Sequence, residues 1–423
     1  MSSQDSRGAA ARDVAVEVVL RVTKDGAWTS RALDAALARA SLQRRDAALA
    51  TAIAYGTMRR LPSIDALIDR HAERTDPFLR AVLRCAIFEI LHLDRVPVRA
   101  AVHEAVTAVR RKRGKKVAGF VNAVLRKIKR PDPVEVARLE LPPWLKERLA
   151  NDIGPERAAS LDRAEPTLDI RLFADFETWC KGLPEYVSAE RLGPRSARLS
   201  GARDPRRLPG FNEGAFVVQE YGSQRVADAV HAQPGETVAD CCAGRGGKTL
   251  PLADAVGAGG RVVSIELHAS RMKQIRHAME HVGLQTALET HAIDLRVGTG
   301  GLQAVFDRVL VDAPCTGTGT LHRRPEILLR LRPEDIEKLQ QTQRSILANA
   351  ALLVRPGGTL TYAVCSLLRD EGPGVEAYAG LPSDFEAVEG NDPDGWTRLG
   401  PWNRTDGYQL RQWRRDATSL PKA

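Results

Sequence analysis

The sequence has little cysteine and no long apolar run, and these two absences narrow the class of protein. Six cysteines in 423 residues are too few for a disulfide scaffold, and no Cys-x-x-Cys pair indicates a zinc site. No apolar stretch approaches the roughly 20 residues of a membrane span, and charged residues scattered through the first 30 positions exclude a continuous secretory signal. We therefore expect a soluble, cytoplasmic monomer with no membrane segment and no metal.

The length and the apolar patterning predict a multidomain chain. At about 100–200 residues per domain, the sequence has room for several domains. Apolar residues at helical spacing predict helices with buried faces over the first 130 residues; three such sets are Ala15, Val18, Val19 and Val22, then Leu79, Val82, Leu83 and Ala86, and finally Val117, Phe120, Val121, Val124, Leu125 and Ile128. Prolines at 131, 133, 142 and 143 break the helical pattern and indicate a connector.

Beyond the connector, the pattern changes to short apolar runs. Between about 165 and 215 these runs lie among Gly and Pro, which suggests a small α/β unit. From Gly235 onward, strand-like runs alternate with helical segments, which is typical of a mostly parallel, doubly wound, Rossmann-like sheet. We predict an all-α domain over 1–130, a linker over 131–164, a small α/β subdomain over 165–230 and a doubly wound domain over 231–423.

Positive charge is concentrated in the N-terminal part. Residues 1–130 hold 26 Lys and Arg against 13 Asp and Glu, whereas residues 131–423 hold 36 against 40. Between Arg110 and Arg130, 10 of 21 residues are basic and none is acidic. Such a block attracts a nucleic acid because binding releases counterions, although a solvated helical face is the alternative. The candidate RNA-binding residues are Arg110, Arg111, Lys112, Arg113, Lys115 and Lys116.

A glycine-rich turn follows the first strand-like run of the doubly wound domain. Residues 240–249 read Asp-Cys-Cys-Ala-Gly-Arg-Gly-Gly-Lys-Thr, and glycine lets a backbone turn tightly and approach a ligand closely. The helix that begins near Thr249 presents free N–H groups to an anion. The spacing is neither the dinucleotide pattern Gly-x-Gly-x-x-Gly nor a complete Walker loop. The turn therefore predicts a nucleotide-like cofactor.

Two carboxylates follow the next two strand-like runs. Glu266 stands where dinucleotide folds place an acidic residue that accepts hydrogen bonds from both ribose hydroxyls. This position favours a cofactor with an unphosphorylated ribose, and a helix N-cap is the alternative role. Asp294 is a candidate acceptor for an exocyclic amine such as that of adenine, and an ordinary loop aspartate is the alternative.

Two cysteines follow strand-like runs, at the edge where doubly wound folds bind their ligands. Cys315 lies within Asp-Ala-Pro-Cys-Thr-Gly-Thr-Gly (312–319), and Cys365 within Thr-Tyr-Ala-Val-Cys-Ser (361–366). Near Lys248 and an anion-binding turn, we expect a thiol pKa below the usual value of about 8.5. Inert apolar packing remains our interpretation of Cys85, Cys180 and Cys241.

The glycine turn and the two cysteine motifs resemble those of a known family of enzymes. Asp-x-Cys-Ala-Gly-x-Gly-Gly-Lys-Thr, Asp-Ala-Pro-Cys-x-Gly-x-Gly and Thr-Tyr-x-x-Cys-Ser, in this order, resemble those of the RNA cytosine-C5 methyltransferases of the RsmB/Sun and NSUN group. The segments around 54–59 and 119–126 are similar to the NusB-like helical domain fused to RsmB. The resemblance covers nearly the whole chain and implies an enzyme that forms 5-methylcytosine in small-subunit (16S) ribosomal RNA.

The resemblance also implies roles for individual residues. Cys365 is the implied nucleophile at carbon 6 of cytosine, and Cys315 the group that helps eliminate the proton. Asp312 is the implied contact to the ring nitrogen and amine of the base, with Lys248 supporting that charge network. S-adenosyl-L-methionine is the implied cofactor, with Glu266 on its ribose and Asp294 near its adenine. The implied cofactor-binding residues are Cys242, Ala243, Gly244, Arg245, Gly246, Gly247, Lys248, Glu266, Arg271, Asp294 and Asp312.

Two departures from the family pattern and two rival functions remain open. Arg245 stands where the family usually has proline, and Gln409 stands where a second aromatic residue usually follows Asp-Gly. One rival is a non-catalytic RNA-binding or antitermination factor, against which the intact glycines, Cys315 and Cys365 argue. The other is a DNA cytosine-C5 methyltransferase, whose nucleophile would be Cys315.

Overall fold

The chain divides into two units in this computed structural model, which describes residues 3–129, 139–202 and 204–418. The helical unit comprises residues 1–146, 161–164 and 321–330. The α/β unit comprises residues 147–160, 165–320 and 331–423. No helix within the described ranges is long and apolar enough to span a bilayer.

The helical unit confirms the predicted helical N-terminal domain. Its helices are α1 (Ser3–Asp25), α2 (Thr29–Ala40), α3 (Arg44–Arg59), α4 (Leu61–Ala72), α5 (Pro77–His92) and α6 (Val98–Leu125). The spaced apolar residues form its core, as the full burial of Val18, Val19 and Leu83 shows. Helix α5 begins where the Asp76 carboxylate accepts hydrogen bonds from the N–H groups of Phe78 and Leu79.

Gly114 interrupts α6 within the basic segment. Its φ of 83° and ψ of 175° are non-helical, and only glycine adopts this backbone conformation without strain. After Gly114 the helix buries Val121 and Val124 whereas Phe120 is 41% exposed. The prediction of Phe120 in the core was therefore wrong, because Phe120 lies at the border of the buried face, about 100° around the helix from Val121.

The segment predicted as a linker, residues 131–164, contains two helices in its described part. Helices α7 (Pro143–Ile153) and α8 (Pro155–Arg163) both begin at proline, which fits the first turn because the N–H group there has no partner within the helix. Pro143 therefore begins α7, besides interrupting the pattern of helical apolar residues that precedes it. Residues 131–138 of the predicted linker, together with Arg130 of the basic segment, lie outside the described residues.

Residues 321–330 belong to the helical unit, although they follow Cys315 closely in the chain. The backbone carbonyl of His322 accepts a hydrogen bond from Nε of Arg59, at 2.8 Å. The Glu326 carboxylate, only 1% exposed, accepts hydrogen bonds from the backbone N–H of Thr29 at 3.1 Å and from its hydroxyl at 2.8 Å. Glu326 therefore anchors this segment at the first turn of α2.

A small antiparallel sheet opens the α/β unit and confirms the predicted small α/β part. Its strands are β1 (Leu168–Leu172), β2 (Ser188–Gly193), β3 (Ser196–Ser200) and β4 (Phe216–Val218), in the order β2-β3-β1-β4. Helix α9 (Phe176–Cys180) covers it through Trp179, whose ring lies 5.3 Å from that of Phe216.

The large sheet confirms the doubly wound domain. Its strands are β5 (Thr237–Cys241), β6 (Arg261–Glu266), β7 (Ala287–Ala292), β8 (Phe306–Asp312), β9 (Val354–Val364), β10 (Phe385–Val388), β11 (Thr397–Leu399) and β12 (Tyr408–Arg415). The helices of this region are α10 (Tyr221–Asp228), α11 (Thr249–Val256), α12 (Ala269–His281), α13 (Pro333–Ala351) and α14 (Pro373–Glu376). The strand order is β10-β12-β9-β8-β5-β6-β7, with β11 paired to β12.

Parallel pairing in this sheet determines where the candidate site forms. Strands β5 to β9 are parallel to their neighbours within that group, whereas β10, β11 and β12 pair antiparallel. Because the carboxyl ends of parallel strands meet at one edge, the residues after β5, β6, β8 and β9 are brought together. This edge collects the glycine turn, Glu266, Asp312 and both predicted catalytic cysteines.

The Glu326 anchor gives a test of the helical unit. Glu326→Ala removes a buried acceptor of two hydrogen bonds, each worth about 1.5–3 kcal/mol when the acceptor is charged. We expect amide exchange in the first turn of α2 to accelerate at least about tenfold, measured by hydrogen–deuterium exchange mass spectrometry. Glu73→Ala, at an exposed position in the same unit, is the control. Unchanged protection of Thr29 in Glu326→Ala would contradict the anchoring role.

Candidate active site

The glycine turn joins β5 to α11 in a strained but well-supported conformation. Cys242, Gly244 and Gly246 have positive φ angles of 64°, 61° and 89°. Residues other than glycine rarely adopt this backbone conformation. Gly246 also packs closely, since an added Cβ would lie 3.3 Å from the side chain of Ile275. The amide of Gln219 donates to the carbonyl of Gly247 at 2.7 Å. Within the turn, Arg245 and Gly247 are exposed, whereas Ala243, Gly246 and Lys248 are buried.

Glu266 is tied directly to this turn. Its carboxylate is 4% exposed and accepts hydrogen bonds from the N–H of Gly244 at 2.9 Å and from the N–H of His268 at 3.0 Å. The guanidinium of Arg271, itself 43% exposed, donates to the same carboxylate at 2.9 Å. Three residues predicted to bind the cofactor therefore meet at one point.

Asp294 lies beyond β7 and pairs with a neighbour in the sequence. Its carboxylate accepts hydrogen bonds from the Arg296 side chain, at 2.6 and 2.9 Å, and from the Arg296 N–H at 3.0 Å. These bonds lower the pKa of Asp294 below its ordinary value. The carboxylate is therefore available as an ionised acceptor at neutral pH.

The buried Lys248 and the half-buried Asp312 form an ion pair where the turn meets the end of β8. The ammonium group of Lys248 donates a hydrogen bond to the Asp312 carboxylate. Burial alone would lower the pKa of Lys248, but the charge of Asp312 and this hydrogen bond outweigh it and raise the pKa above its ordinary value. The thiol of Cys365 contributes in the same direction, so Lys248 lies within electrostatic reach of that sulfur.

Asp240 is a titratable group in this region that the sequence analysis did not assign. It is fully buried at the end of β5, and the hydroxyl of Thr249 donates to its Oδ2 at 2.6 Å. Burial raises the pKa of Asp240 to about 7 against the effect of that hydrogen bond. The bond ties the start of α11 to β5, so Asp240 supports the glycine turn from below.

The two predicted catalytic cysteines lie next to each other. The sulfur atoms of Cys315 and Cys365 are 3.4 Å apart, and both side chains are half-buried. Their loops are joined by a hydrogen bond from the N–H of Gly319 to the carbonyl of Cys365, at 3.0 Å. The structure thus brings together thiols that are 50 residues apart in the chain.

The expected low pKa of Cys315 was wrong. The hydrogen bond with Cys365 and then burial raise the pKa of Cys315 well above its ordinary value. Lys248, whose charge suggested the opposite shift, is paired with Asp312. Although Cys315 closely follows Asp312 in the chain, Lys248 therefore does not lower the pKa of this thiol.

The tail residues 406–409 close this edge of the sheet. Gly319 has no room for a side chain, since an added Cβ would lie 2.0 Å from the carbonyl oxygen of Gly407. The ammonium of Lys248 lies 6.0 Å from the centre of the Tyr408 ring. Gln409 is fully buried and donates to the backbone carbonyl of Leu368 at 2.7 Å. Gln409 thus supports the loop after Cys365.

The predicted RNA-binding residues lie in the helical unit, on both sides of Gly114. All six are exposed: Arg110, Arg111, Lys112, Arg113, Lys115 and Lys116. Arg111 pairs with Asp13 at 2.5 Å, and the charged groups of Lys112 and Arg113 lie over the Phe78 ring at 4.9 and 5.5 Å. The cluster therefore presents a high density of positive charge to solvent.

Two family models match separate parts of this chain. The family model described as 16S rRNA methyltransferase RsmB/F matches residues 227–379, a range that contains the glycine turn and both cysteines. The NusB family model matches residues 9–130.

Relatives match over nearly the full length. A probable ribosomal RNA small subunit methyltransferase B of Bacillus subtilis (strain 168) is 31% identical, over 89% of this chain and 89% of that protein. The ribosomal RNA small subunit methyltransferase B of Thermus thermophilus is 32% identical, over 97% of this chain and 98% of that protein. The crystal structure of the protein PH0851 is 26% identical and superposes with a TM-score of 0.82, over 96% of this chain and 99% of that one. The chain therefore belongs to the RsmB/F family of 16S rRNA methyltransferases and carries an N-terminal NusB-family domain.

Proposed function

We propose that this protein, acting as a cytoplasmic monomer, methylates carbon 5 of a cytosine in small-subunit ribosomal RNA through a covalent adduct with Cys365. The observation that carries the proposal is the pair of thiols 3.4 Å apart, in loops adjoining the ends of β8 and β9 beside the Lys248–Asp312 ion pair. A single-thiol mechanism needs only one of these cysteines, whereas addition followed by elimination uses two groups near the same ring. The similarity over most of the chain to ribosomal RNA small subunit methyltransferases supports ribosomal RNA as the substrate.

The residues of the turn fit S-adenosyl-L-methionine, which when bound supplies an electrophilic methyl group. The Glu266 carboxylate suits a pair of ribose hydroxyls, and the ionised Asp294 suits an exocyclic amine. Open space adjoins Gly247, where an added Cβ would meet nothing within 4 Å. The exposed Arg245 suits the carboxylate of an amino acid or an RNA phosphate. We propose that these residues, together with Cys242, Ala243, Gly244, Gly246, Arg271 and Asp312, form the cofactor site.

The four polar residues at the site have separate roles in this proposal. Carbon 5 of cytosine is a poor nucleophile until the Cys365 thiolate adds to carbon 6, which turns the ring into an enamine. Asp312, held by Lys248, contacts the ring nitrogen and amine and stabilises the charge that develops there. After methyl transfer, Cys315 acts as a thiolate whose own proton has passed to solvent; its raised pKa makes that thiolate a strong base. It takes the proton from carbon 5, and the bond between carbon 6 and sulfur breaks as its electrons return to Cys365.

The exposed basic residues around Gly114 are the proposed phosphate contacts. Lys and Arg mostly contact phosphates, so these residues supply affinity rather than choice of nucleotide. The Lys112 and Arg113 side chains are held against Phe78, which lowers the conformational entropy that RNA binding has to remove.

The cofactor assignment can be tested by calorimetry on the full chain. Glu266→Gln keeps the shape of the side chain but removes its charge, so hydrogen bonds to the ribose weaken. We expect binding of S-adenosyl-L-methionine to weaken by about 1.5–3 kcal/mol, or about 10- to 100-fold in Kd. Glu289→Gln, an exposed carboxylate on β7, is the matched control. Preferred binding of NAD or ATP by the unaltered protein would reject the assignment.

The basic residues can be tested through the salt dependence of RNA binding. Reversing Lys112, Arg113, Lys115 and Lys116 to Glu should weaken RNA binding and flatten the plot of log K against log salt, by about 0.7 for each phosphate of a single-stranded RNA that is no longer neutralised. Cofactor affinity should be unchanged. A smaller variant, Lys115→Glu/Lys116→Glu, is compared with the control variant Lys24→Glu/Arg31→Glu. The control reverses the same amount of charge at two exposed positions on other helices of the same unit. An unaltered slope would show that the basic residues only face solvent.

The covalent mechanism predicts different outcomes for the two cysteines. Cys365→Ala should abolish methyl transfer and any covalent RNA adduct, because the attacking thiol is gone. Cys315→Ala should still permit attack and methyl transfer but stall before release, because the eliminating base is gone. A protein–RNA species that survives denaturing electrophoresis should therefore accumulate with Cys315→Ala and disappear in the double variant.

Cys180→Ala, at the end of helix α9, is the control and should behave like the unaltered protein. Adduct accumulation in Cys365→Ala instead of Cys315→Ala would exchange the roles and favour the mechanism of DNA cytosine-C5 methyltransferases. Retained activity with no adduct in either variant would exclude covalent catalysis by these thiols.

A further inference from the structure

A buried carboxyl group links the two cysteine loops, and neither the sequence motifs nor the proposed mechanism assigns it a role. Glu371 lies six residues after Cys365 and is fully buried. Its carboxylate accepts hydrogen bonds from the N–H of Thr316, at 2.8 Å, and from the hydroxyl of Thr316. Because Thr316 directly follows Cys315, Glu371 connects the loop of one thiol to the loop of the other.

A glutamine completes the surroundings of the Glu371 carboxylate. The side-chain amide of Gln343, from α13, donates to Glu371 at 3.0 Å and to the carbonyl of Pro314 at 2.8 Å. Pro314 directly precedes Cys315, so both chain neighbours of this cysteine are held by the same cluster. Burial raises the pKa of Glu371 against the effect of these hydrogen bonds. The carboxyl group of Glu371 is thus held in a buried position, where the loss of its contact with water costs free energy.

Ser366, next to Cys365, forms a second link between the loops. Its hydroxyl lies 3.2 Å from that of Thr316 and 2.9 Å from that of Thr318. It also accepts a hydrogen bond from the N–H of Leu368 at 3.2 Å. Each cysteine is therefore followed by a buried hydroxyl residue, and the two hydroxyls meet within hydrogen-bond distance.

Other side chains hold the Cys365 loop without reaching the Cys315 loop. The hydroxyl of Tyr362 donates to the backbone carbonyl of Glu371 at 2.9 Å, and the amide of Gln340 donates to the carbonyl of Asp370, also at 2.9 Å. The Glu371 carboxylate is different because it extends from this loop to the other one. Removing it leaves the Cys365 loop supported but frees the Thr316 backbone.

We propose that Glu371 is a positioning residue that fixes Cys315 relative to Cys365. The inference rests on the proposed function in one respect, namely that the fixed distance between the two sulfur atoms couples addition at carbon 6 to proton removal at carbon 5. Both events occur on adjacent ring atoms, so a displacement of about 1 Å between the sulfurs is expected to cost about 10²-fold in rate. Glu371 contacts neither reacting atom and acts through Thr316 directly and through Gln343 on Pro314.

The positioning role can be measured without any methylation assay. Equilibration with reduced and oxidised glutathione gives the effective concentration of Cys315 relative to Cys365, with peptide mapping to identify the disulfide formed. We expect Glu371→Ala to lower this effective concentration at least about tenfold, because the Cys315 loop loses its anchor. Gln340→Ala, which removes a hydrogen bond from the same loop, should leave it unchanged.

The consequence for catalysis is measured in the same variants. Glu371→Ala should lower kcat about 10²-fold with little change in KM for RNA or cofactor. The covalent RNA adduct should accumulate, because proton removal suffers more than addition. Glu371→Gln should fall between Glu371→Ala and the unaltered protein, since it keeps one acceptor for Thr316. A purely structural role would lower the amount of folded enzyme without changing the fraction trapped as adduct.

Each result decides the proposal. An unchanged effective concentration in folded Glu371→Ala would overturn it, as would a rise in KM with kcat preserved. If Glu371→Ala does not fold, Thr316→Val removes the hydroxyl from the same link, and the same two readouts apply. If the unaltered protein neither methylates cytosine nor forms an adduct, the proposed function fails, while the glutathione measurement still decides whether Glu371 positions the thiols.

Discussion

Parallel pairing of β5, β8 and β9 is the constraint on which the candidate active site depends. In this register Cys241 lies beside Val311, and Asp312 lies beside Ala363. The strands therefore end at nearly the same level, and the turn after β5, the loop after β8 and the loop after β9 start from one edge. Burial of Val311, Tyr362 and Val364 in the core below holds these ends in place.

The electrostatics of the site follow from this arrangement. Asp240, Lys248 and Asp312 are crowded at the strand ends, where the low dielectric strengthens both attraction and repulsion. The ion pair of Lys248 with Asp312 satisfies both charges, whereas the buried Asp240 has its pKa raised to about 7. A positive charge so closely paired does not depress the pKa of every thiol nearby, as Cys315 shows.

Much of the fold and part of the site could be predicted from the sequence. The strand-like runs predicted from Gly235 onward correspond to parallel strands of the large sheet, because parallel strands buried on both faces consist of short, nearly continuous apolar runs. The glycine turn and Glu266 were both predicted to bind one cofactor, and the N–H of Gly244 lies 2.9 Å from the Glu266 carboxylate. The Gly114 interruption was missed because helical periodicity on either side of it reads as one pattern. Glu371 was missed because its partner is 55 residues away, and no local signal marks a contact between two loops.

The path of residues 321–330 has a consequence for the modularity of the protein. The chain leaves the α/β unit after Thr320, contributes ten residues to the helical unit and returns at Leu331. A cut after residue 146 therefore does not separate two self-contained pieces, because Glu326 and Ile327 would remain in the α/β fragment and lose the helices that they pack against. That fragment would carry a new apolar surface and an uncompensated carboxylate immediately after the Cys315 loop. The N-terminal residues alone thus do not contain the whole helical unit, and exchanging them would have to include residues 321–330.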